Sequence, residues 1–446
     1  MATRPVDRRT FLAGSASAAA AISLIGTQAL GANDRIVAGF LGCGGRGRQL
    51  VAHVAARDDS QIAYVCDLDP SRLAPGIANV EKHTGKKPKG VADYRTILED
   101  KDVDVFFNAT PDHWHVLPVI HACQAGKDAY VEKPLSHNIW EGRQAVRAAR
   151  KHKRIVQLGT QNRSAPYCTA AADYIRSGKL GDVYLCRVFN MKTRGAVPPR
   201  PDGQPPKGVD YDRWLGPAPK RPFNPNHFHY RWHWFWDYSG GDIINDGVHQ
   251  IDLARWLVGR TLPKSVVCTG GKFAFANDAQ DTPDTQNVHW EYDKLTMTFE
   301  LTLWTPYMRK TSMKRRDLDE FPNWPFSATR IELYGTKGLM MMSRHGGGWQ
   351  AFDTKAKVAA EHHGRRPGDH HIANFFDCVR SRKRANADVE EGHLSTVLCH
   401  LGNISYRVGG RRLAFNAKTE RFVDDDEANR LVKRGGRPPY AIPEDL

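Results

Sequence analysis

Two short segments of this 446-residue chain carry side chains able to hold and move a proton. In VEKP, residues 131–134, Lys133 stands where an apolar run ends and a proline fixes the turn. Its ammonium can hydrogen-bond a hydroxyl and steady the negative charge that grows there as the proton leaves, and desolvation would bring its pKa down towards the working range. In GGDIINDGVHQID, residues 240–252, His249 offers an imidazole that, when neutral, takes up such a proton. Neither residue acts unless the fold brings the two to one place.

The elements that must do so begin at DRIVAGFLGCGGRGRQLVAHVA, residues 34–55, which has the form strand, tight turn, helix. Gly42, Gly44 and Gly47 fit GxGxxG. The first glycine makes the turn, the second lets backbone approach a pyrophosphate, and the third allows close helix–sheet packing. An anion is favoured at the N-terminus of the helix that follows. The next β-rich run, QIAYVC, ends in Asp67, twenty positions beyond Gly47. An acid there binds ribose hydroxyls and repels a 2′-phosphate, which favours NAD over NADP. Asp69 is the alternative acid, and Arg72 leaves room for NADP.

Alternation of strand and helix continues through DVDVFFNATPDHWH, DAYVEKP and RIVQLGTQNR. It predicts an α/β fold with a doubly wound parallel sheet, whose ligands bind beyond the C-terminal strand ends. Asp67, the DHWH turn, Glu132–Lys133 and the stretch from Gln161 to Arg163 all fall at such ends. Further on, DVYLCRVFNM, KSVVCTGGKFAF, TQNVHWEYD, KLTMTFELTLW and TRIELYG read as short strands separated by turns. The Pro-rich piece AVPPRPDGQPPKG reads as an inserted surface loop.

GCGGRG, ATPDHWH, VEKP, GTQNRS and GGDIINDGVHQID, in that order, resemble the Gfo/Idh/MocA family, the relatives of glucose-fructose oxidoreductase and inositol dehydrogenase. The resemblance implies an N-terminal Rossmann domain, residues 33–158. It also implies a C-terminal α/β domain with a large, mostly antiparallel sheet, residues 159–410, followed by a tail, residues 411–446, packed on the protein. It places Gly45 and Arg46 on the pyrophosphate and Thr110, Asp112, His113, Trp114 and His115 along the dinucleotide. Glu132 and Lys133 fall near the nicotinamide, with Gln161 also beside the cofactor. Trp114 is equally readable as packing, and Glu132 as a brace for Lys133. Arg163, Asn245, Asp246 and His249 are the expected substrate residues. Where inositol dehydrogenase-like members typically carry an Asp four positions before the histidine, this chain has Asn245. Asp246 or Asp252 is left either to support His249 or to brace the following helix.

The implied activity is hydride transfer from a hydroxyl of a sugar, polyol or glycoside to NAD, in a chain expected to form a dimer or tetramer. The runner-up is a glycosidase that uses bound NAD for transient oxidation followed by elimination, outside the usual two-carboxylate scheme. Export favours a cofactor that stays bound. Paired Arg8 and Arg9, an Ala-rich apolar run and a small-residue end around residues 29–32 form a twin-arginine signal over residues 1–32, predicting a periplasmic protein without a membrane anchor.

Other chemistries compete. HxH pairs at His113/His115 and His227/His229, with HH at His362/His363 and His370/His371, suit Zn²⁺ but lack an evident carboxylate–histidine set, so no metal is expected. A metal hydrolase, or an NAD-binding protein without catalysis, remains the lesser reading. The net charge of +15 includes the clusters RKTSMKRR and RSRKR, yet no nucleic-acid-binding motif accompanies them. They read as solvated surface, with a sulfated or carboxylated glycan as the minority partner. Eight cysteines without a CxxC pair read as buried thiols.

HFHYRWHWFWDYSGGD, residues 227–242, leads into the His249 segment. Read as extended chain with alternating faces, it buries Tyr230, Trp232, Trp234 and Phe235 and offers Arg231, His233 and Trp236 to a sugar.

Overall fold

The computed structural model describes residues 35–446 except position 313. The expected export segment, residues 1–32, lies outside the described residues. Among the described residues no helix is long and apolar enough to cross a membrane.

Six parallel strands form the first sheet: β1 (Ile36–Leu41), β2 (Ser60–Cys66), β3 (Lys89–Val91), β4 (Val105–Asn108), β5 (Asp128–Val131) and β6 (Val156–Leu158). Their order is β3-β2-β1-β4-β5-β6, the doubly wound arrangement whose binding crevice opens where the winding reverses, beside β1. Runs such as IVAGFL and VFFN are apolar without alternation because helices cover both faces of the sheet. On one face Leu50, Val51 and Val54 of the helix Gly45–Ala55 meet Phe40, Phe107 and Tyr130. On the other, the helices Val116–Gln124 and Ile139–Lys151 pack on Phe106 and Val131.

The second sheet has ten strands, adding β7 (Val183–Met191), β8 (Ser265–Gly271), β9 (Thr285–Tyr292), β10 (Leu295–Thr302), β11 (Arg330–Gly335), β12 (Gly338–Ser343), β13 (Trp349–Asp353), β14 (Val358–His362), β15 (Leu413–Asn416) and β16 (Arg421–Phe422). Every neighbouring pair is antiparallel except β7 with β10. In β9, Gln286, Val288, Trp290 and Tyr292 are buried while His289 and Glu291 are exposed, the period-two signature of a sheet covered on one face. The helices Pro166–Arg176, Val248–Leu257 and Val389–Arg407 supply that cover.

Two segments cross the expected division of the chain. Ile372, Phe375 and Phe376, from the helix Gly368–Ser381, complete the core of the first sheet. Beyond residue 410, Leu413 pairs with Val266, so part of the expected tail is built into the second sheet, and Ile442 packs beside the first. All eight cysteines are buried and unpaired.

Candidate active site

A cleft of about 1100 Å³ runs across the C-terminal ends of β1, β2, β4 and β5 and continues onto the second domain. At its first end the glycines differ in what they do. Gly42 has φ +94°, and a Cβ on it would stand 2.6 Å from the Ala109 carbonyl oxygen. A Cβ on Gly47 would stand 1.9 Å from the Gly42 oxygen, so that glycine lets the helix close on the turn. Gly44 and Gly45 face open space and line the cleft. This is a cradle for an anion at a helix start.

Asp67 lies alongside, its carboxylate accepting from the backbone N–H of Cys43 at 2.8 Å and of Asp69 at 3.0 Å. Burial raises its pKa, and those two donors partly offset the rise. Asp69 caps the helix Pro70–Thr84 by accepting from the Ser71 N–H at 2.8 Å, and Arg72 also lines the cleft. Arg46 turns its Nε to Glu132, 2.7 Å away, tying the glycine turn to the end of β5.

Thr110, Asp112, Trp114, His115 and Gln161 line the same cleft. Burial pushes the Asp112 carboxyl up to about 6, while the Ser239 hydroxyl donates to it. His115 brackets the Thr110 and Pro134 carbonyls, and Gln161 donates to the Tyr130 hydroxyl at 3.2 Å. His113 does not belong to this wall. Its ring is buried against Trp214, with Nε2 3.0 Å from the Trp214 carbonyl, which also takes the Trp114 indole N–H at 2.8 Å.

At the other end, Lys133 and His249 line one continuous space. Ile243–Gly247 forms a single π-helical turn before the helix Val248–Leu257, and this wide turn delivers both Asn245 and His249. The Lys133 ammonium donates to the Asn245 main-chain carbonyl and to its side-chain Oδ1 at 3.3 Å. The Asn245 amide donates in turn to Asp242 at 2.9 Å. Burial lowers the Lys133 pKa, and the charges of Asp112, Glu132 and Asp246 oppose that fall. Burial, together with the positive charges of Arg344 and Lys133, holds His249 well below the usual imidazole range, so the ring is neutral at pH 7. Its Nδ1 is buried without a hydrogen-bond partner.

Neither nearby aspartate supports that imidazole by a hydrogen bond. Asp246 is engaged by Lys192, Lys310 and Arg344. Asp252 is fully buried against Arg163 at 2.9 Å and takes the Ser395 hydroxyl at 2.6 Å. These pairs correct two expected substrate contacts: Arg163 and Asp246 face buried counter-charges and do not line the cleft.

The aromatic stretch departs from the extended reading because His229–Trp234 is a 3₁₀ helix, in which positions three apart share a face. Tyr230 and His233 thus both line the cleft, and His229 and Trp232 do as well. Tyr230 is 56% exposed and not a core residue. Trp232, Trp234 and Phe235 are buried as expected, in an aromatic cluster with Trp214, Phe228 and Tyr238. Arg231 turns to Asn226 at 2.8 Å, and Trp236 lies outside the cleft under the Arg407 guanidinium. Sequence reasoning missed Arg316, Arg344 and His345, which line the substrate end. It placed RKTSMKRR on solvated surface, yet that cluster sends Lys310 to Asp246 and Arg316 into the cleft. Among the described residues no group of three or more His, Cys, Asp or Glu side chains is placed to hold a metal ion.

Comparison with known proteins accounts for both halves. Residues 36–160 match the NAD-binding Rossmann fold of an oxidoreductase family, and residues 192–293 and 351–442 match that family's C-terminal alpha/beta domain. The uncharacterized oxidoreductase YrbE of Bacillus subtilis is 25% identical over 310 residues, covering 68% of this chain and 72% of YrbE. A glycosyl hydrolase family 109 protein of Shewanella pealeana is 33% identical over 122 residues, but these make up only 26% of this chain and 27% of that protein. The WlbA dehydrogenase of Bordetella pertussis, solved with NADH and UDP-GlcNAcA, superposes with a TM-score of 0.62 over 86% of this chain and 99% of that one. At 20% identity that likeness is one of fold. With both domains matched in order and the glycine turn built as described, the chain belongs to the GFO_IDH_MocA oxidoreductase family, with its NAD-binding Rossmann fold.

Proposed function

We propose that the protein oxidises a hydroxyl of a sugar, polyol or glycoside with tightly held NAD. The observation that carries this reading is the meeting of Lys133 and His249 in the same cleft as the glycine turn and Asp67. The residues present fit the cofactor. Gly44 and Gly45 leave free the space that side chains would fill, and Asp67 offers a carboxylate to ribose hydroxyls. NAD is preferred to NADP because that carboxylate repels a 2′-phosphate, although Arg72 stands close by.

When bound, NAD supplies the acceptor for hydride from the carbinol carbon. The chain's own residues handle the proton and the charge. The neutral His249 imidazole receives the hydroxyl proton. Lys133, held in place by Asn245, donates to the same oxygen and stabilises it as it becomes alkoxide-like. Burial of both groups excludes water and strengthens these interactions. Tyr230, Trp232 and His233 present aromatic faces suited to sugar C–H surfaces.

A second reading, glycoside cleavage by transient oxidation, draws support from the family 109 relative and from the advantage of a cofactor recycled within one turnover. Export by the twin-arginine route to the periplasm, and assembly into a dimer or tetramer, belong to the same proposal. The test is to incubate the mature protein with free-sugar and glycoside panels without added NAD, following reducing sugar, ketosugar and bound NADH. Formation of bound NADH supports oxidation, and release of reducing sugar without added NAD selects the glycosidase. Absence of any redox change with bound NAD present sinks both readings.

A further inference from the structure

Behind the substrate end lies an imbalance of buried charge. Asp242 and Asp246 face four cations: Lys192 touches both carboxylates, Arg194 touches Asp242, and Lys310 and Arg344 touch Asp246. Both carboxylates are within a few per cent of full burial. Burial alone would push their pKa values up, yet the surrounding cations hold them well below the usual carboxylate range. Lys310 is drawn down to about 7, first by burial, with the Asp246 charge opposing and the neighbouring Lys192 and Arg344 charges adding to the fall.

Arg344 and Arg316 carry this positive excess to the cleft surface. The Arg344 side chain is only 12% exposed, and its Nε is buried with no hydrogen-bond partner. Arg316 gives its Nε to the Thr311 carbonyl at 3.0 Å and has no carboxylate partner among the described residues. The two guanidinium charges act on one another, and Lys133 adds a third positive charge nearby. Three of the cleft's carboxylates are engaged by other bases: Asp317 by Arg366 at 2.5 Å, Asp369 by His53 at 2.7 Å and Glu132 by Arg46 at 2.7 Å. Among the described residues Arg316 lacks a counter-charge and Arg344 shares Asp246 with two lysines, so positive charge is left over that a bound anion would offset.

Resting on the proposed sugar oxidation, we infer that the substrate bears an anionic substituent, a carboxylate or a sulfate ester, seated between Arg316 and Arg344. Guanidinium groups suit such oxyanions because their N–H forks meet two oxygens at once. The neutral hydroxyl to be oxidised then lies towards Lys133 and His249, so the charged group sets the register of the sugar in the cleft. The basic cluster at residues 309–316 thereby acquires a role at the substrate.

The test uses the NAD-loaded full chain and calorimetry with matched pairs: D-glucuronate and D-galacturonate against D-glucose and D-galactose, and glucose 6-sulfate against glucose. At least one acidic member should bind about tenfold or more tightly than its neutral parent, and the uronate and sulfate arms identify which oxyanion is preferred. Arg316→Gln should abolish most of that preference, and Arg344→Lys should weaken it while retaining a positive charge beside Asp246. A panel in which no acidic sugar outbinds its parent overturns the inference. So does an Arg316→Gln protein that keeps the preference, or one that loses NAD affinity instead. Bound NADH is followed in the same samples. Equal reduction by neutral and acidic sugars leaves the oxidoreductase reading standing and removes the anion site, whereas acidic preference without reduction does the reverse.

Discussion

The Lys133 ammonium of the first domain donates to the main-chain and side-chain oxygens of Asn245 in the second. One residue thus aims the amine from across the domain junction, and it does so from the position where a supporting aspartate was expected for His249. Asn245 positions the lysine and leaves the imidazole without a carboxylate partner.

Because the charged form of Lys133 is the useful one, activity should fall as pH rises through its lowered pKa. Asn245→Asp places a carboxylate beside the ammonium, favours the charged form and should move the alkaline limb of kcat/KM upward by about one unit. Lys133→Ala should lower kcat by about 10²–10⁴-fold. A limb that stays put in Asn245→Asp, with full activity in Lys133→Ala, removes the amine from the chemistry.

The glycines of the turn should separate folding from cofactor binding. Gly47→Ala drives a Cβ to 1.9 Å from backbone oxygen and should lower the thermal midpoint. At Gly44 a Cβ meets nothing within 4 Å. Gly44→Ala should therefore keep the midpoint of the cofactor-free protein and weaken NAD binding on the order of tenfold, measured by fluorescence titration.

Asp67→Asn removes the charge that repels a 2′-phosphate, and its single amide oxygen keeps one of the two bonds that the carboxylate accepts from the Cys43 and Asp69 N–H groups. The ratio of NADP to NAD affinity should rise by on the order of tenfold. An unchanged ratio would move the discrimination to Asp69 or Arg72.

Asp112 gives a stability signature of definite sign. Its folded pKa, about 6, lies above the ordinary 3.8, so the protonated form is favoured by folding. Stability from this group is full below the unfolded value and is lost as pH rises through about 6, amounting to about 3 kcal/mol by pH 8. Asp112→Asn should accordingly raise the urea midpoint at pH 8 and change it little at pH 4. The opposite ordering would show that the carboxylate is paired when folded.

Asp252→Asn should destabilise by about 1.5–3 kcal/mol, since it leaves the buried Arg163 with the partly exposed Glu391 as its remaining counter-charge. Replacing both partners with apolar residues should cost less than the sum of the single changes, as urea unfolding of the four proteins would show.

The parallel sheet and its strand-end residues were legible because buried strands read as apolar runs and glycine spacing reports a turn with few solutions. Lys133 and His249 were visible by residue type and local setting. The aromatic stretch was not: period-two and period-three patterns differ little over six residues dense in rings, so Tyr230 was assigned inward and Trp236 to the sugar. Arg163 and Asp246 misled because a charged residue beside a site is equally at home against a buried partner. Arg344 left no local signal and Arg316 only its place in a basic cluster, since their approach to the cleft depends on where the second sheet's connections run.

The helix bearing Ile372, Phe375 and Phe376 limits how this molecule can be divided. An engineer who exchanged everything after residue 158 for a foreign substrate module would strip a wall of rings from Phe40, Phe107 and Tyr130. The nucleotide half is not a cassette, and a working chimera must keep Gly368–Ser381 with the glycine turn, however far apart the two lie along the chain.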